Sequence, residues 1–246
     1  MKNIYIGTSG FSYKNWKGKF YPDDLPISKQ LEFYSEHFNS VEINNSFYHL
    51  PRKTTYESWA ARTPDDFRFV IKGSRYITQF LSLSNTDDAV KKFFEPAEAL
   101  GEKLEVVLWQ LPPRLKADEE RLTSFISVLK KNRLAKKVRH AFEFRNASWF
   151  DESILKILKD KNCGFVIAHS NRWPSAEFVT ADFIYLRFHG APRLFYSNYT
   201  DESLREWSMK AKKLARGKDA FAYFNNDAGS FAIPNAFKLK ELLGAK

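Results

Sequence analysis

The chain has 246 residues, of which 43% are hydrophobic and 28% charged, enough for one α/β barrel domain spanning 1–246 with a large core. The net charge of +10 reads first as solvated faces on outer helices and otherwise as a surface for an anionic partner, and the single cysteine, Cys163, excludes an internal disulfide and a thiolate metal cluster and favours a reducing, cytoplasmic setting. No segment approaches the roughly 18 apolar residues that span a bilayer, and the Met1-Lys2-Asn3-Ile4 opening is unlike a secretory signal, so no membrane partner is expected.

Eight short apolar runs follow one another, each turning polar at its carboxyl end. They are Ile4–Gly7 into Thr8-Ser9, Val41 to Asn44, Phe69 to Lys72 and Val106–Trp109 into Gln110. The series continues with Ala141 to Arg145, Phe165–Ala168 into His169, Ile184–Phe188 into His189 and Phe221–Phe224 into Asn225-Asn226-Asp227. Between them lie segments of helical period. Leu31, Tyr34 and Phe38 mark one at 29–38, Leu122, Phe125, Ile126 and Leu129 another at 118–132, and Leu204, Trp207, Ala211 and Leu214 a third at 201–216. Asp118, Asp151 and Thr200 are placed to cap helices, and residues 235–243 read as a closing helix. Such alternation predicts parallel strands joined by crossover helices, a TIM-like (β/α)8 barrel. The polar strand ends would meet at its carboxyl-terminal mouth, where barrel chemistry sits.

Side chains alternate between lumen and helix layer along a barrel strand. In 183–189 the apolar set Ile184, Leu186 and Phe188 suits the helices, which turns Tyr185, Arg187 and His189 inward. The same test turns Glu143 and Arg145 inward, and Glu42 with Asn44. Buried charges are costly unless paired, so these groups need one another or a ligand.

The predicted mouth therefore holds Glu42, Asn44, Lys72, Gln110, Glu143, Arg145, His169, Arg187, His189, Asn225, Asn226 and Asp227. Glu143, His189 and Glu42 are the candidates for proton transfer, since facing carboxylates divide acid and base roles when their environments differ. The competing reading pairs each carboxylate with a cation to hold the lumen together. Arg145, Arg187 and Lys72 would hold an anion; Lys72 reads first as an electrostatic clamp, with a Schiff-base role open if it is desolvated. Asn44, Gln110, His169, Asn225, Asn226 and Asp227 would contact the substrate. No cofactor is expected. A divalent metal on Glu42, Glu143, His169, His189 and Asp227 is the alternative, opposed by the neighbouring cations. The aromatic loop 8–22 either closes over a substrate or packs on the barrel rim, and 225–230 has the small residues of an anion-binding turn before a helix. No Gly-x-Gly-x-x-Gly, Walker loop, Gly-x-Ser-x-Gly or His-Glu-x-x-His is present.

Several blocks resemble the YecE-like family (domain of unknown function 72). They are Gly7-Thr8-Ser9-Gly10-Phe11-Ser12-Tyr13 with Trp16, Gly18 and Phe20-Tyr21-Pro22, and Val41 to Tyr48 with Pro51. Further along come Trp109-Gln110-Leu111-Pro112-Pro113, Phe142-Glu143-Phe144-Arg145 with Ser148-Trp149, Tyr185 to Gly190, and Tyr223 to Asp227. The resemblance implies a TIM-like barrel and brings no established reaction; Phe11 stands where many members carry Trp. The functional expectation is an intracellular enzyme acting on a small anionic or phosphorylated ligand by acid–base chemistry. Its rivals are a metal-dependent phosphodiesterase and a barrel that binds nucleic acid through the lysines near 130–139 and 210–218.

Overall fold

The computed structural model describes residues 1–245. Its eight parallel strands are β1 Ile4–Thr8, β2 Ser40–Ile43, β3 Arg68–Lys72, β4 Leu104–Gln110, β5 Arg139–Glu143, β6 Gly164–His169, β7 Phe183–Phe188 and β8 Asp219–Phe224. They form one sheet in the order β1-β8-β7-β6-β5-β4-β3-β2, so the two edges are consecutive strands that curl toward each other. Around it run α1 Gln30–His37, α2 Asn45–Tyr48, α3 Lys53–Ala61, α4 Asp87–Ala97, α5 Glu119–Lys131, α6 Glu152–Asp160, α7 Asp201–Leu214 and α8 Ala232–Leu243. The caps are formed as the sequence suggests: Asp118, Asp151 and Thr200 accept from the backbone N–H groups of Arg121, Ser153 and Ser203 at 2.9, 2.9 and 3.2 Å.

The β1–β2 seam is closed by side chains as well as backbone. Asn39 accepts from Ile6 N at 3.1 Å and donates to Ile4 O at 2.7 Å. Higher up, the Tyr34 hydroxyl accepts from Thr8 N at 2.9 Å and donates to Ser40 O at 3.2 Å. Only at the mouth do the backbones meet, through the Ser9–Glu42 bridge. Gly7 is required here, because a Cβ on it would lie 2.1 Å from Ser40 O.

Strand alternation separates two cores. Between sheet and helices lies a large aromatic layer that includes Trp109, Phe142, Phe188 and Phe224. The lumen is packed by Val70, Val106, Leu108, Ala141, Val166, Phe183, Tyr185, Phe221 and Tyr223. Below that plug, at the amino ends of the strands, Arg139 bridges Glu105 at 3.2 Å and Asp219 at 2.6 Å, and Arg68 meets Glu105 at 3.3 Å. The floor is thus sealed by ion pairs and the middle by hydrocarbon, which leaves the carboxyl end as the open one.

Candidate functional site

Four charged side chains from three strands interlock above the apolar plug. Arg187, near the end of β7, places Nε 2.9 Å from Glu42 Oε2 and Nη2 2.7 Å from Glu42 Oε1, and its Nη1 donates to Glu143 Oε2. Glu42 also accepts from Ser9 Oγ at 2.6 Å and Tyr185 Oη at 2.7 Å. Glu143 accepts from Arg145 Nε at 2.9 Å on its other oxygen. Burial by itself would raise both carboxyl pKa values. The Arg187 charge outweighs it, helped at Glu143 by Arg145, and holds Glu42 below and Glu143 well below the usual carboxylate range.

These bonds change the roles expected for three residues. Glu42 is saturated and ionised, so it positions Arg187. Glu143 is likewise held as a carboxylate, and Arg187 spends all three nitrogens on the two glutamates and has none facing an anion. Arg187 fastens β2, β5 and β7 together, a device the alternation pattern implied by demanding partners for inward charges.

His189 follows β7 and is wholly buried. Asn225 Nδ2 lies 3.2 Å from its Nδ1. With the amide donating, the ring proton sits on Nε2. That atom is 3.5 Å from Glu143 Oε1, completes no hydrogen bond there and has no other partner. Burial pushes the His189 pKa down to about 4 despite the nearby Glu143 carboxylate, so the ring is neutral at physiological pH.

Above this layer opens a cavity of about 700 Å3. Lys72, Gln110, Arg145, Asn225 and Asp227 line it from the strand ends, together with Asn44, Phe47 and Tyr48 from the β2–α2 turn. The Arg145 guanidinium lies flat on Trp173, 3.5 Å from the ring centroid, and keeps its two terminal nitrogens free of carboxylates. Asn44 Oδ1 is buried and unpartnered. Lys72 is only 9% exposed, has no carboxylate in ion-pair range among the described residues, and holds Nζ 4.1 Å from the Phe47 ring centroid. Burial, reinforced by the Arg187 charge, lowers its pKa to about 7.

Two predicted contacts lie elsewhere. His169 points to the helix layer, where Nδ1 meets Tyr199 Oη at 2.9 Å and the ring packs against Trp207. Asn226 donates to Ser197 O at 2.9 Å and Asn235 Oδ1 at 2.8 Å, bracing α8. Both are on the outward phase of strands whose inward residues are Ala168 and Asn225. Asp227 reaches the cavity while bound to Trp16 Nε1 at 2.5 Å, and burial raises its pKa. That bond fixes the first loop on the rim: Trp16 and Tyr21 are buried, while Tyr13 and Asn15 reach the cavity. Phe47, Tyr48, Gln79, Trp173 and Phe195 are contributors that reading strand ends alone overlooks.

No three His, Cys, Asp or Glu side chains are grouped to hold a metal ion among the described residues. The exposed lysines 130, 131, 136, 137, 210, 212 and 213 stand near the carboxyl ends of α5 and α7, which lead into the amino ends of β5 and β8. That places them by the floor, away from the cavity. No helix among the described residues is long and apolar enough to cross a membrane.

The profile of the family described as protein of unknown function DUF72 matches residues 5–246. The chain belongs to the DUF72 family. It is 27% identical to the UPF0759 protein YunF of Bacillus subtilis over 98% of this chain and 94% of that one. A solved DUF72 structure from Thermotoga maritima superposes with a TM-score of 0.87 at 27% identity, covering 98% and 99% of the two chains. A DUF72 structure from Enterococcus faecalis gives 0.79 at 24% identity over 99% and 98%. DUF72 members therefore share this barrel.

Proposed function

We propose that this DUF72 protein is an enzyme that binds a small anionic or phosphorylated molecule in the barrel mouth and transfers protons on it. The carrying observation is Lys72, a nearly buried amine in the cavity wall with no carboxylate partner. It combines access to the cavity with a charge change near neutral pH. Arg145, with free terminal nitrogens and a plane fixed by Trp173, supports an anion-holding role. Asn225, held against neutral His189, supplies a polar contact, and Gln110 and Asn44 orient hydroxyl groups. Glu42, Glu143 and Arg187 form the rigid base beneath. As a base Lys72 works in its amine form, so turnover should rise with pH through about 7.

The test is calorimetric titration with inorganic phosphate and small phosphorylated hydroxy compounds, paired with NMR detection of deuterium uptake from D2O into the bound compound. Arg145→Met should weaken binding roughly tenfold to a hundredfold, the equivalent of one hydrogen bond to a charged group. Lys72→Met should abolish deuterium uptake. Binding and exchange indifferent to both substitutions would reject the reading.

A further inference from the structure

We propose that Lys72 is a covalent nucleophile, which takes the carbonyl of a small anionic aldehyde or ketone as an imine. The inference rests on the mouth being an anion site and names the class of compound it accepts. The cations inside the barrel divide in a telling way. Arg187 is paired with two carboxylates, Arg145 with one, Arg139 with two and Arg68 with one. Lys72 has none, although Glu143 and Glu42 stand in the same layer. A lysine kept as a clamp gains from a full charge and water around it; this one is stripped of water, laid on an aromatic face and set beside two guanidinium groups. The surroundings favour the free amine, which is the nucleophilic form.

Imine formation needs only the amine, the carbonyl compound and proton exchange with solvent. The Nζ lone pair attacks the carbonyl carbon, and the carbonyl oxygen takes up a proton while nitrogen releases one, giving a carbinolamine. Loss of that hydroxyl as water forms the C=N bond, so amine plus carbonyl yields imine plus water, with no oxidant or reductant. Asn44 stands in the same wall, and turning its buried, unpartnered side-chain oxygen toward the cavity would give the carbinolamine hydroxyl an acceptor. Arg145 holds the carboxylate or phosphate that marks the compound as anionic. The protonated imine restores a cation at Nζ, over the Phe47 ring and within the field of Glu143 and Glu42. It also acidifies the neighbouring C–H bond; with Nζ held in the imine that proton passes to solvent rather than to Lys72, and the deuterium exchange above proceeds through the imine.

The experiment incubates the full chain with pyruvate or dihydroxyacetone phosphate, reduces with sodium borohydride and maps the adduct by peptide mass spectrometry. At pH 7 an amine of pKa about 7 is half in its reactive form, roughly a thousandfold more than an ordinary lysine near 10.4. The expected result is one adduct per chain, on the peptide bearing Lys72, with at least one probe. Its formation should quicken between pH 6 and 8, and it should be absent in Lys72→Arg. Labelling of Lys72 no faster than of exposed lysines, or no adduct with either probe, overturns the imine. If phosphate binding still weakens in Arg145→Met after such a result, the anion site stands and only the covalent step falls. Should Lys72→Arg not fold, the position of the adduct in the unaltered protein decides.

Discussion

Replacing Arg187 with Met removes the one side chain that joins Glu42 to Glu143. Three hydrogen bonds go, two to Glu42 and one to Glu143. Breaking a buried pair by deleting one partner costs about 3–5 kcal/mol, because the other charge is left stranded. Here two carboxylates are stranded, but neither is bare: Glu42 keeps Ser9 and Tyr185, and Glu143 keeps Arg145. The net cost is then about 4 kcal/mol, or roughly 8–16 °C in melting temperature for a chain of this length. The pH dependence identifies the cause. In the unaltered protein both carboxyl pKa values are depressed, so their stabilisation is complete above the unfolded value of about 4.3 and is lost only as pH falls below it. In Arg187→Met burial acts with less opposition and lifts both values, which penalises the fold at pH 7 and relents as the acids protonate. Melting curves followed by circular dichroism at pH 7 and pH 5 should therefore show the gap narrowing in acid. A shift under about 2 °C, less than the smallest loss expected for a stranded charge, or a gap constant across that range, would refute the account.

Lys72→Met should behave in the opposite sense. A lysine whose folded pKa is depressed to about 7 penalises the fold below that pH, and the penalty disappears as pH rises toward the unfolded value near 10.4. The variant should be more stable at pH 6 by on the order of 4 kcal/mol, with most of the advantage gone by pH 10, while deuterium uptake is lost; equal melting temperatures at pH 6 would contradict a desolvated Lys72. At the barrel seam, Tyr34→Phe leaves Thr8 N–H and Ser40 O without their shared hydroxyl. The expected cost is about 1–3 kcal/mol, with faster amide exchange at Thr8; unchanged exchange there would show that the backbones close the seam alone.

Where the two faces of a strand differed in polarity, the sequence located the mouth residue by residue. Ile184, Leu186 and Phe188 against Tyr185, Arg187 and His189 left one possible orientation, and the fold has it. In β6 and β8 both faces are apolar: Val166 and Ala168 line the lumen, Phe165 and Ile167 the helices, and Phe221 and Tyr223 point inward where Ala220 and Ala222 point out. With no contrast to set the phase, His169 and Asn226 were grouped with the mouth by position alone. The aromatic walls were hidden for a different reason. Phe47 and Tyr48 belong to a four-residue helix after β2, and Trp173 lies in a segment outside any helix or strand; neither has a periodicity that says where it will land. Trp173 meets Arg145 only because β5 and β6 are neighbours in the sheet.

Composition also could not say which interior charges are scaffold and which are free to react. Glu42 and Glu143 look suited to proton transfer, and Arg187 to holding an anion, because they are ionisable and inward. Their bonds show the reverse logic at work. A carboxylate that accepts four hydrogen bonds has no lone pair directed at a ligand, and a guanidinium shared by two carboxylates has its charge already answered. What such a cluster does is fix the field above it. Its two negative and two positive groups nearly cancel, so a neighbouring amine gains little from protonation and loses its water. Lys72 owes its lowered pKa first to burial and then to the Arg187 charge, which Glu143 and Glu42 only partly offset. Protonating Glu42 or replacing it with Gln would unbalance the cluster toward positive charge and push Lys72 further down. The reactive group and the saturated ones are therefore linked: the glutamates and Arg187 tie β2, β5 and β7 together, and burial over that base, with the Arg187 charge, lowers the Lys72 pKa against the opposing pull of Glu143 and Glu42.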